Sequence, residues 1–213
     1  MQISEPIATK IAEYLLEIKA IKLQPNEPFT WASGIKSPIY SDNRLSLSHP
    51  AIRTFIKDSL AAAIKANYPG VEAIIGVATA GIAPGALVAD ALNLPFGYVR
   101  SEPKKHGMGK QVEGDINPTQ KIVVIEDLVS TGKSSLQAID ALRDFGSDIL
   151  GLASIFTYGL ESAQTNFKNA NCPMFSLCNY DVLIEAAIAK GYVSEADKAV
   201  LSAWKSSPET WGK

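Results

Sequence analysis

Short stretches that are apolar throughout alternate with amphipathic stretches in the middle of this chain, and this pattern restricts the fold more than any other feature. It predicts strands at Ala73–Val77, Phe96–Arg100, Lys121–Glu126 and Ile149–Thr157, with helices at Gly81–Leu92 and Ser134–Phe145. Strands that have no polar face must be buried on both sides. The pattern therefore predicts an α/β fold with a central, mostly parallel sheet flanked by helices.

The segments on either side of this alternation predict further helices and a region rich in turns. Helices are predicted over Ile7–Ala20 and Ala51–Asn67. Between them, Leu23–Asn43 is rich in Pro, Ser, Gly and aromatic residues, which favours short strands and turns. C-terminal helices are predicted at Asp181–Lys190 and after the capping sequence Ser194–Asp197. With 213 residues, the whole chain (1–213) fits a single domain.

Composition and charge argue against several classes of function. The formal net charge of −2 gives no electrostatic reason to bind nucleic acid or an anionic membrane, so we expect neither as a partner. The two cysteines, Cys172 and Cys178, are too few for a disulfide framework and are expected to be small buried residues. His49 and His106 do not lie near them in sequence, which disfavours a His–Cys metal site. Without a signal sequence or a long apolar span, a soluble cytoplasmic protein is expected.

The strongest local motif is Lys121–Ser135, which reads KIVVIEDLVSTGKSS. A buried strand ends in two adjacent carboxylates, Glu126 and Asp127, and a small, hydroxyl-rich turn then opens a helix. Such a turn directs several backbone N–H groups at one phosphate, and the helix dipole adds to the attraction. Neighbouring carboxylates accept hydrogen bonds from a sugar diol, directly or through bound magnesium. The motif therefore predicts a sugar-phosphate site.

Two other interpretations of this motif have to be weighed. The tripeptide at 132–134 (GKS) resembles the end of a nucleotide-binding P-loop, but that motif needs glycine five residues before Gly132, where this chain has Asp127. A carboxylate at that place repels a triphosphate, which excludes this interpretation. Asp127 and Thr131 are also suitable helix caps, so a purely structural role stays open.

Ligands of an open α/β sheet bind beyond the carboxyl ends of its strands, which directs attention to the loops after Val77, Arg100 and Glu126. Val77–Gly85 (VATAGIAPG) is made of small residues that suit either a phosphate or close helix–sheet packing, and it is not the GxGxxG fingerprint of dinucleotide-binding proteins. The segment 101–114 is rich in glycine and basic residues. Cations on such a segment suit either a lid over a pyrophosphate or a solvated surface loop.

These motifs resemble those of the phosphoribosyltransferases that use phosphoribosyl pyrophosphate (PRPP), and the resemblance runs through nearly all of residues 1–205. It implies that Glu126 and Asp127 hold the ribose hydroxyls, that Leu128–Ser134 surround the 5-phosphate and that Val77–Gly85 lies on the pyrophosphate side. The full set implied to bind PRPP is Arg100, Lys104, His106, Glu126, Asp127, Leu128, Val129, Ser130, Thr131, Gly132, Lys133 and Ser134.

Two segments resemble the orotate phosphoribosyltransferases in particular. In Arg100–Gly114 (RSEPKKHGMGKQVEG), the order of Arg100, Lys104 and His106 is similar to the flexible catalytic loop of that family, which implies contacts with PRPP and its pyrophosphate leaving group. Phe29–Arg44 (FTWASGIKSPIYSDNR) closely resembles the family's substrate hood, to which residues 1–45 contribute. In this family the catalytic loop serves the neighbouring subunit's site, so the resemblance implies a homodimer.

The resemblance also implies how orotate, a flat and anionic pyrimidine, is bound. Tyr40 is the candidate stacking ring, Lys36 a candidate cation and Ser130 a further contact. The alternative roles are local packing for Tyr40 and a solvent-exposed charge for Lys36. Three contacts of some family members do not carry over, because lysine is replaced by Ala32 and Ala80 and arginine by Tyr158.

The implied reaction is transfer of the 5-phosphoribosyl group from PRPP to orotate, giving orotidine 5′-monophosphate and pyrophosphate in UMP synthesis. Mg²⁺ is the implied cofactor, carried by PRPP near Glu126 and Asp127 and not by a site made of protein side chains. The candidate catalytic residues are Arg100, Lys104, His106 and Asp127. Two alternatives stay open: a purine phosphoribosyltransferase, which should lack this hood and basic loop, and a regulatory PRPP sensor, which often carries a nucleic-acid-binding region.

Overall fold

The computed structural model describes residues 3–30, 34, 36–100 and 111–212, and it begins with one helix and two small ladders. Helix α1 spans Glu5–Glu17, and the strands that follow are β1 Ile21–Leu23, β2 Phe29–Thr30, β3 Lys36–Ser37 and β4 Ile39–Ser41. β1 pairs antiparallel with β4, and β2 with β3, so the turn-rich region consists of short strands as predicted. A 3-10 helix at Asn43–Ser48 leads into helix α2, Pro50–Asn67.

The rest of the chain forms a six-stranded sheet and the helices that cover it. The strands are β5 Ala73–Val77, β6 Phe96–Val99, β7 Val112–Glu113, β8 Lys121–Val129, β9 Asp148–Thr157 and β10 Met174–Asn179. The helices are α3 Ile82–Leu92, α4 Lys133–Asp144, α5 Glu161–Asn169, α6 Tyr180–Ala189 and α7 Lys198–Ser206. The strand order is β10-β9-β8-β5-β6-β7, and every pairing is parallel except that of β6 with β7. The predicted α/β class with a mostly parallel sheet is confirmed.

Apolar side chains leave both faces of the central strand β8, which explains why helices cover the sheet on both sides. Val123 and Ile125 enter a core shared with α1, α2, α3, α6 and α7, whereas Ile122 and Val124 enter a second core with α4 and α5. Burying one such side chain contributes roughly 1.5–3 kcal/mol, so exposing either face would cost much of a domain's net stability. Within the described ranges, no helix is long and apolar enough to span a membrane.

The same two cores contain the cysteines. Cys178 is buried in the first core and Cys172 in the second, and both thiols are free. They are the small buried residues that the sequence predicts.

The chain leaves the middle of the sheet in two directions, and this creates a crevice. From β5 it runs through α3 to β6 on one side, and β8 then pairs with the other side of β5. α3 packs on one face of the sheet and α4 on the other, so the loops after β5 and β8 diverge. Such a switch point at the carboxyl ends of the strands is where open α/β sheets bind ligands. The three loops selected from the sequence follow β8, β5 and β6, which are neighbours in this sheet.

The structure differs from the predicted elements in several places. Strand β8 continues to Val129 instead of ending at Glu126, because Leu128 and Val129 pair in register with β9. The acid pair therefore lies inside the strand. Strand β7 falls in the segment 101–114 that was expected to be a loop. Helix α5 and strand β10 were not predicted at all.

Glycine in the loop after β5 is required by a close contact with β8. A Cβ atom at Gly81 would lie 2.4 Å from the carbonyl oxygen of Ile125, and one at Gly76 would lie 2.5 Å from the carbonyl oxygen of Gly81. Both distances are overlaps with backbone atoms. The small residues of Val77–Gly85 thus serve close packing, which brings this loop directly against the end of β8.

Replacing Gly81 by alanine is expected to lower the free energy of unfolding by roughly 1–3 kcal/mol, because the added methyl group overlaps backbone atoms that cannot rotate away. Denaturant titration measures this change. Asp90→Ala, at an exposed position of α3, is the control and should change stability by less than about 0.5 kcal/mol. Equal stability of Gly81→Ala and the parent would contradict the packing described here.

Candidate active site

Two adjacent carboxylates lie near the carboxyl end of β8, and their surroundings differ. Glu126 is only 6% exposed, and both of its oxygens accept hydrogen bonds, Oε1 from the backbone N–H of Asp127 at 3.0 Å and Oε2 from Ser135 Oγ at 3.2 Å. Asp127 is partly exposed. Because Ser135 lies in the first turn of α4, Glu126 connects the end of the strand to the start of the helix.

Burial changes the protonation of this pair. It raises the pKa of Glu126 to about 8, and the negative charge of Asp127 adds to the shift. Burial also raises the pKa of Asp127, although hydrogen bonds from its surroundings and the charge of Arg44 favour its ionised form. Near pH 7 Glu126 therefore retains its proton.

The loop after β8 opens helix α4 and leaves the first turn of that helix accessible. Gly132 is the N-cap residue, with φ of +78°, and no side chain among the described residues caps the helix. Asp127 and Thr131 therefore do not cap this helix, although the sequence allowed that role. The loop surrounds a cavity of about 300 Å³ that is lined by Leu128, Ser130, Thr131, Gly132, Lys133, Ser134, Ser135 and Gln137. A helix N-terminus beside a cavity with several hydroxyl groups suits a phosphate.

Helix α5, which the sequence did not predict, holds this phosphate loop in place. Asn166 Nδ2 donates to the carbonyl oxygen of Thr131 at 3.0 Å. Phe167 packs so closely on the loop that a Cβ atom at Gly132 would lie 2.5 Å from its ring. Val129, at the start of the loop, is fully buried, so its side chain anchors the loop and does not face the cavity.

The loop after β5 lies on the other side of the crevice. Thr79 is exposed and Ala80 half-buried, and the peptide bond between Ala78 and Thr79 is cis. Gly81 packs against the strand residue that precedes Glu126. This loop therefore lies directly beside the strand segment that carries the acid pair.

Arg100 lies at the base of the β6–β7 hairpin, whose connecting segment contains Lys104 and His106 in sequence. Its backbone N–H donates to the carbonyl oxygen of Gln111 at 3.0 Å, and Gln111 Nε2 donates back to the carbonyl oxygen of Arg100 at 2.8 Å. The Arg100 guanidinium is partly exposed, with Nη1 at 3.9 Å from Glu113 Oε1. The predicted loop 101–114 is too long at its C-terminal end, because Val112–Glu113 pair with β6. Lys104 and His106 themselves lie outside the described residues.

The structure brings the hood and the acid pair together. Tyr40 on β4 is 42% exposed, and its ring centroid lies 5.8 Å from that of Phe29. Lys36 on β3 is exposed, and its Nζ donates to a threonine hydroxyl of β2 at 2.8 Å. After β4, Asn43 Nδ2 donates to the carbonyl oxygen of Asp127 at 2.9 Å. The contacts of Asn43, Ser135 and Asn166 were not predicted from the sequence.

Tyr158, the residue that stands where some related proteins have arginine, belongs to the core. It is 3% exposed, and its ring meets those of Phe156 and Trp204 edge-on, with centroid distances of 5.7 and 5.4 Å. Burial raises the pKa of its hydroxyl group. Tyr158 therefore supplies no charge to a ligand. Of the other residues noted for orotate, Ser130 is partly exposed in the phosphate loop, and Ala32 lies outside the described residues.

A crevice with an acid pair on one wall and a phosphate loop at its end defines a class of protein, and comparison with known families agrees. The family model described as phosphoribosyl transferase domain matches residues 47–182, a range that contains the whole six-stranded sheet. The fold is that of the phosphoribosyltransferases.

Individual relatives narrow this class. The orotate phosphoribosyltransferase of Listeria innocua serovar 6a is 55% identical over 207 residues, which are 97% of this chain and 99% of that protein. That of Porphyromonas gingivalis is 55% identical over 202 residues, 95% of this chain and 96% of that protein. The crystal structure of orotate phosphoribosyltransferase from Aeropyrum pernix is similar with a TM-score of 0.73 at 28% identity, over 86% of this chain and 99% of that one. The chain belongs to the orotate phosphoribosyltransferase family, which decides against the purine phosphoribosyltransferases.

The raised pKa of Glu126 predicts a pH dependence of stability. Between the ordinary carboxyl pKa and about 8, the folded protein holds a proton that the unfolded chain has lost, so the free energy of unfolding should fall as the pH rises. The contribution of this group to the slope is at most about 1.4 kcal/mol per pH unit. Glu126→Gln, which keeps the shape without titrating, is expected to flatten the decline in denaturant titrations at several pH values.

Glu161→Gln, at an exposed position in the first turn of α5, is the matched control and should keep the slope of the parent. If Glu126→Gln also kept that slope, Glu126 would have to be ionised in the folded protein, and the protonation proposed for the pair would be wrong.

Proposed function

We propose that this chain transfers the 5-phosphoribosyl group of PRPP to orotate, giving orotidine 5′-monophosphate and pyrophosphate as a step in UMP synthesis. The observation that carries the proposal is the acid pair near the end of β8, beside the first turn of α4, which no side chain of the described residues caps. A ribose 5-phosphate needs this combination, because its hydroxyls donate to carboxylates and its phosphate accepts from backbone N–H groups. Membership of the orotate phosphoribosyltransferase family supports orotate as the base.

Asp127 is the better placed of the two acids for the ribose hydroxyls. Both oxygens of Glu126 already accept hydrogen bonds, and burial keeps this residue protonated near neutral pH. Asp127 is partly exposed. We therefore assign the direct ribose contact mainly to Asp127, while Glu126 holds Asp127 and the start of α4 in position.

The 5-phosphate is assigned to the loop between β8 and α4. Backbone N–H groups and hydroxyls of Ser130, Thr131 and Ser134 border the cavity there, and Gly132 and Lys133 complete the turn. Leu128 lines the same cavity, and Val129 contributes by anchoring the loop. The dipole of α4 adds an attraction that does not depend on a charged side chain.

The donor set fits a magnesium ion that arrives with PRPP. In the part of the chain that the structure describes, no three His, Cys, Asp or Glu side chains form a cluster that could hold a metal by itself. Mg²⁺ is usually held by one or two carboxylates together with substrate phosphates, and Asp127 is a suitable carboxylate. When bound, the ion neutralises negative charge on the pyrophosphate group.

Orotate is assigned to the space between the hood and the phosphate loop. Tyr40 has an exposed ring that is supported by Phe29, which suits stacking on a flat base. Ser130 offers a hydroxyl group as a hydrogen-bond partner, and Lys36 offers a positive charge for the orotate carboxylate. Because Tyr158 is buried and Ala80 is uncharged, the hood is the better source of that charge.

The leaving pyrophosphate is assigned to Arg100, Lys104 and His106. In the reaction, a ring nitrogen of orotate bonds to the anomeric carbon and loses its proton, while the bond from that carbon to the pyrophosphate oxygen breaks. Positive charge grows on the ribose and negative charge on the leaving group. The chain contributes by positioning both substrates and by placing cations near the leaving group, with His106 as a donor to a pyrophosphate oxygen.

The basic segment 101–110 is proposed to act in the site of a second copy of the chain, so that the working enzyme is a cytoplasmic homodimer. β7 forms the edge of the sheet, and the segment joins β6 to it. An element at a sheet edge is well placed to serve a neighbouring subunit. Once closed over the crevice, the segment would exclude water from the reacting groups.

Turnover with orotate tests the proposed function directly. Purified protein with PRPP, Mg²⁺ and orotate is expected to consume orotate, seen as loss of its ultraviolet absorbance, and a chelator should stop the reaction. Adenine and hypoxanthine serve as competing bases. Turnover with either of them, but not with orotate, would overturn the base assignment, and PRPP binding without turnover would favour a sensor.

Mixing two inactive variants tests the role of the basic segment. Lys104→Ala should remove a cation from the leaving-group site, and Asp127→Asn should remove the charge at the ribose, so each homodimer should be nearly inactive although folded. If the segment acts in the neighbouring site, a mixed dimer contains one intact site, and random mixing should restore about a quarter of the wild-type activity.

If the segment acts within its own subunit, both sites of the mixed dimer are damaged and no activity returns, which would refute the proposed arrangement. Lys65→Ala, at an exposed position near the end of α2, is the control for loss of a surface charge and should keep full activity.

A further inference from the structure

The hood meets the acid pair through one buried side chain. Asn43 is 1% exposed and lies two residues after the end of β4, the strand that carries Tyr40. Its Nδ2 donates to the carbonyl oxygen of Asp127, which is 84 residues away in sequence, at 2.9 Å. One amide group therefore connects the segment assigned to the base with the residue assigned to the ribose.

The position of Asn43 is determined from both sides of the residue. Ser41 Oγ donates to Asn43 Oδ1 at 3.3 Å, and Ser46 Oγ donates to the Asn43 carbonyl oxygen at 2.7 Å. Asp42 N–H donates to the carbonyl oxygen of Ala20 at 2.7 Å. Ala20 lies in the connection between α1 and β1, so this bond holds the turn against that connection. Because both ends of the Asn43 amide have partners, the orientation of the group is determined by its network.

Movement at either end of this bridge is therefore passed to the other end. If Tyr40 and its strand shift to cover a base, Asn43 and the peptide of Asp127 must shift with them or lose a buried hydrogen bond. A buried amide without its partner costs free energy, so a joint shift of the two segments is favoured over a shift of one segment alone. The Asp127 side chain, which the ribose would contact, is attached to that same peptide unit.

We propose that Asn43 is a positioning residue that couples the base site to the ribose-phosphate site, so that each substrate increases the affinity for the other. The inference rests on the proposed function, because it takes orotate and the ribose 5-phosphate moiety as the two ligands. Coupling of this kind is reciprocal: whatever factor one ligand contributes to the binding of the second, the second contributes to the first. If Asn43 only stabilised the fold, no such reciprocal effect on ligand binding would be expected.

Two ligands that cannot react with each other allow the coupling to be measured. Orotate and ribose 5-phosphate form such a pair, because ribose 5-phosphate has no pyrophosphate to leave. Calorimetry gives the dissociation constant of orotate without ribose 5-phosphate and at saturation with it. In the wild-type chain, we expect orotate to bind at least about fivefold more tightly in the presence of ribose 5-phosphate.

Two substitutions remove the bridge. Asn43→Ala deletes the amide, and Asn43→Asp keeps its shape but places a carboxylate oxygen against the carbonyl of Asp127. In both variants the ratio of the two dissociation constants should fall to about one. If Asn43→Ala does not fold, Asn43→Asp, which retains the acceptor for Ser41, decides the question.

Two other asparagines are matched controls, because each also donates from Nδ2 to a backbone carbonyl oxygen. Asn67 donates to Ala63 within α2 at 2.9 Å, away from the site, so Asn67→Ala should keep the wild-type ratio. Asn166 donates to Thr131 in the phosphate loop. Asn166→Ala should weaken the binding of ribose 5-phosphate by itself while the ratio is retained, since the hood is not involved.

The proposed coupling would be overturned if the ratio of the two orotate dissociation constants were near one in the wild-type chain. It would also be overturned if the Asn43 variants kept the wild-type ratio. Neither result would affect the proposed function as long as the wild-type chain consumes orotate and PRPP. Absence of orotate turnover in the wild-type chain would instead count against the proposed function. The two failures are therefore distinguishable.

Discussion

The buried carboxyl group of Glu126 lies where strand β8, the phosphate loop and helix α4 meet, and the geometry of the site depends on how this group is accommodated. An unpaired buried carboxylate costs several kcal/mol, so the group must be hydrogen-bonded, protonated, or both. Here the N–H of Asp127 and the hydroxyl of Ser135 bind its two oxygens, and burial favours the protonated form. These bonds hold the strand end and the helix start in one relative position.

Two acids that are equivalent in the sequence thus become unequal in the structure. Side chains alternate across a strand, and β8 does not end until Val129, so Glu126 is directed inward while Asp127 stays partly exposed. The acid that is accessible near the crevice is then Asp127 alone. It lies next to the N-terminus of helix α4, which suits the phosphate end of the proposed ribose 5-phosphate ligand. A site of this kind can hold a hydroxyl-bearing sugar and a phosphate at a defined separation.

Much of the fold could be predicted because most core strands are apolar on both faces; β5 was predicted to the residue. Elements with mixed patterns were missed for physical reasons. Helix α5 is rich in Ser, Thr, Gln and Asn and buries only Ala163 and Phe167, and β10 is an edge strand interrupted by polar residues. The end of β8 was placed too early, because charged residues normally mark the end of a buried strand, whereas here the pairing with β9 continues past them.

The residues of the candidate site likewise differ in whether they could be predicted from the sequence. Residues 126–134 could be selected from the sequence because they are contiguous and form a recognisable strand–turn–helix motif. Asn43 and Asn166 could not, since a hydrogen bond from one amide to a distant carbonyl leaves no pattern in a sequence. In the proposed site, the 5-phosphate depends mainly on main-chain N–H groups, whereas the ribose depends on the Asp127 side chain and the base on side chains of the hood. Differences such as Ala80 and Tyr158 can accordingly change how the base is held while the phosphate loop keeps its shape.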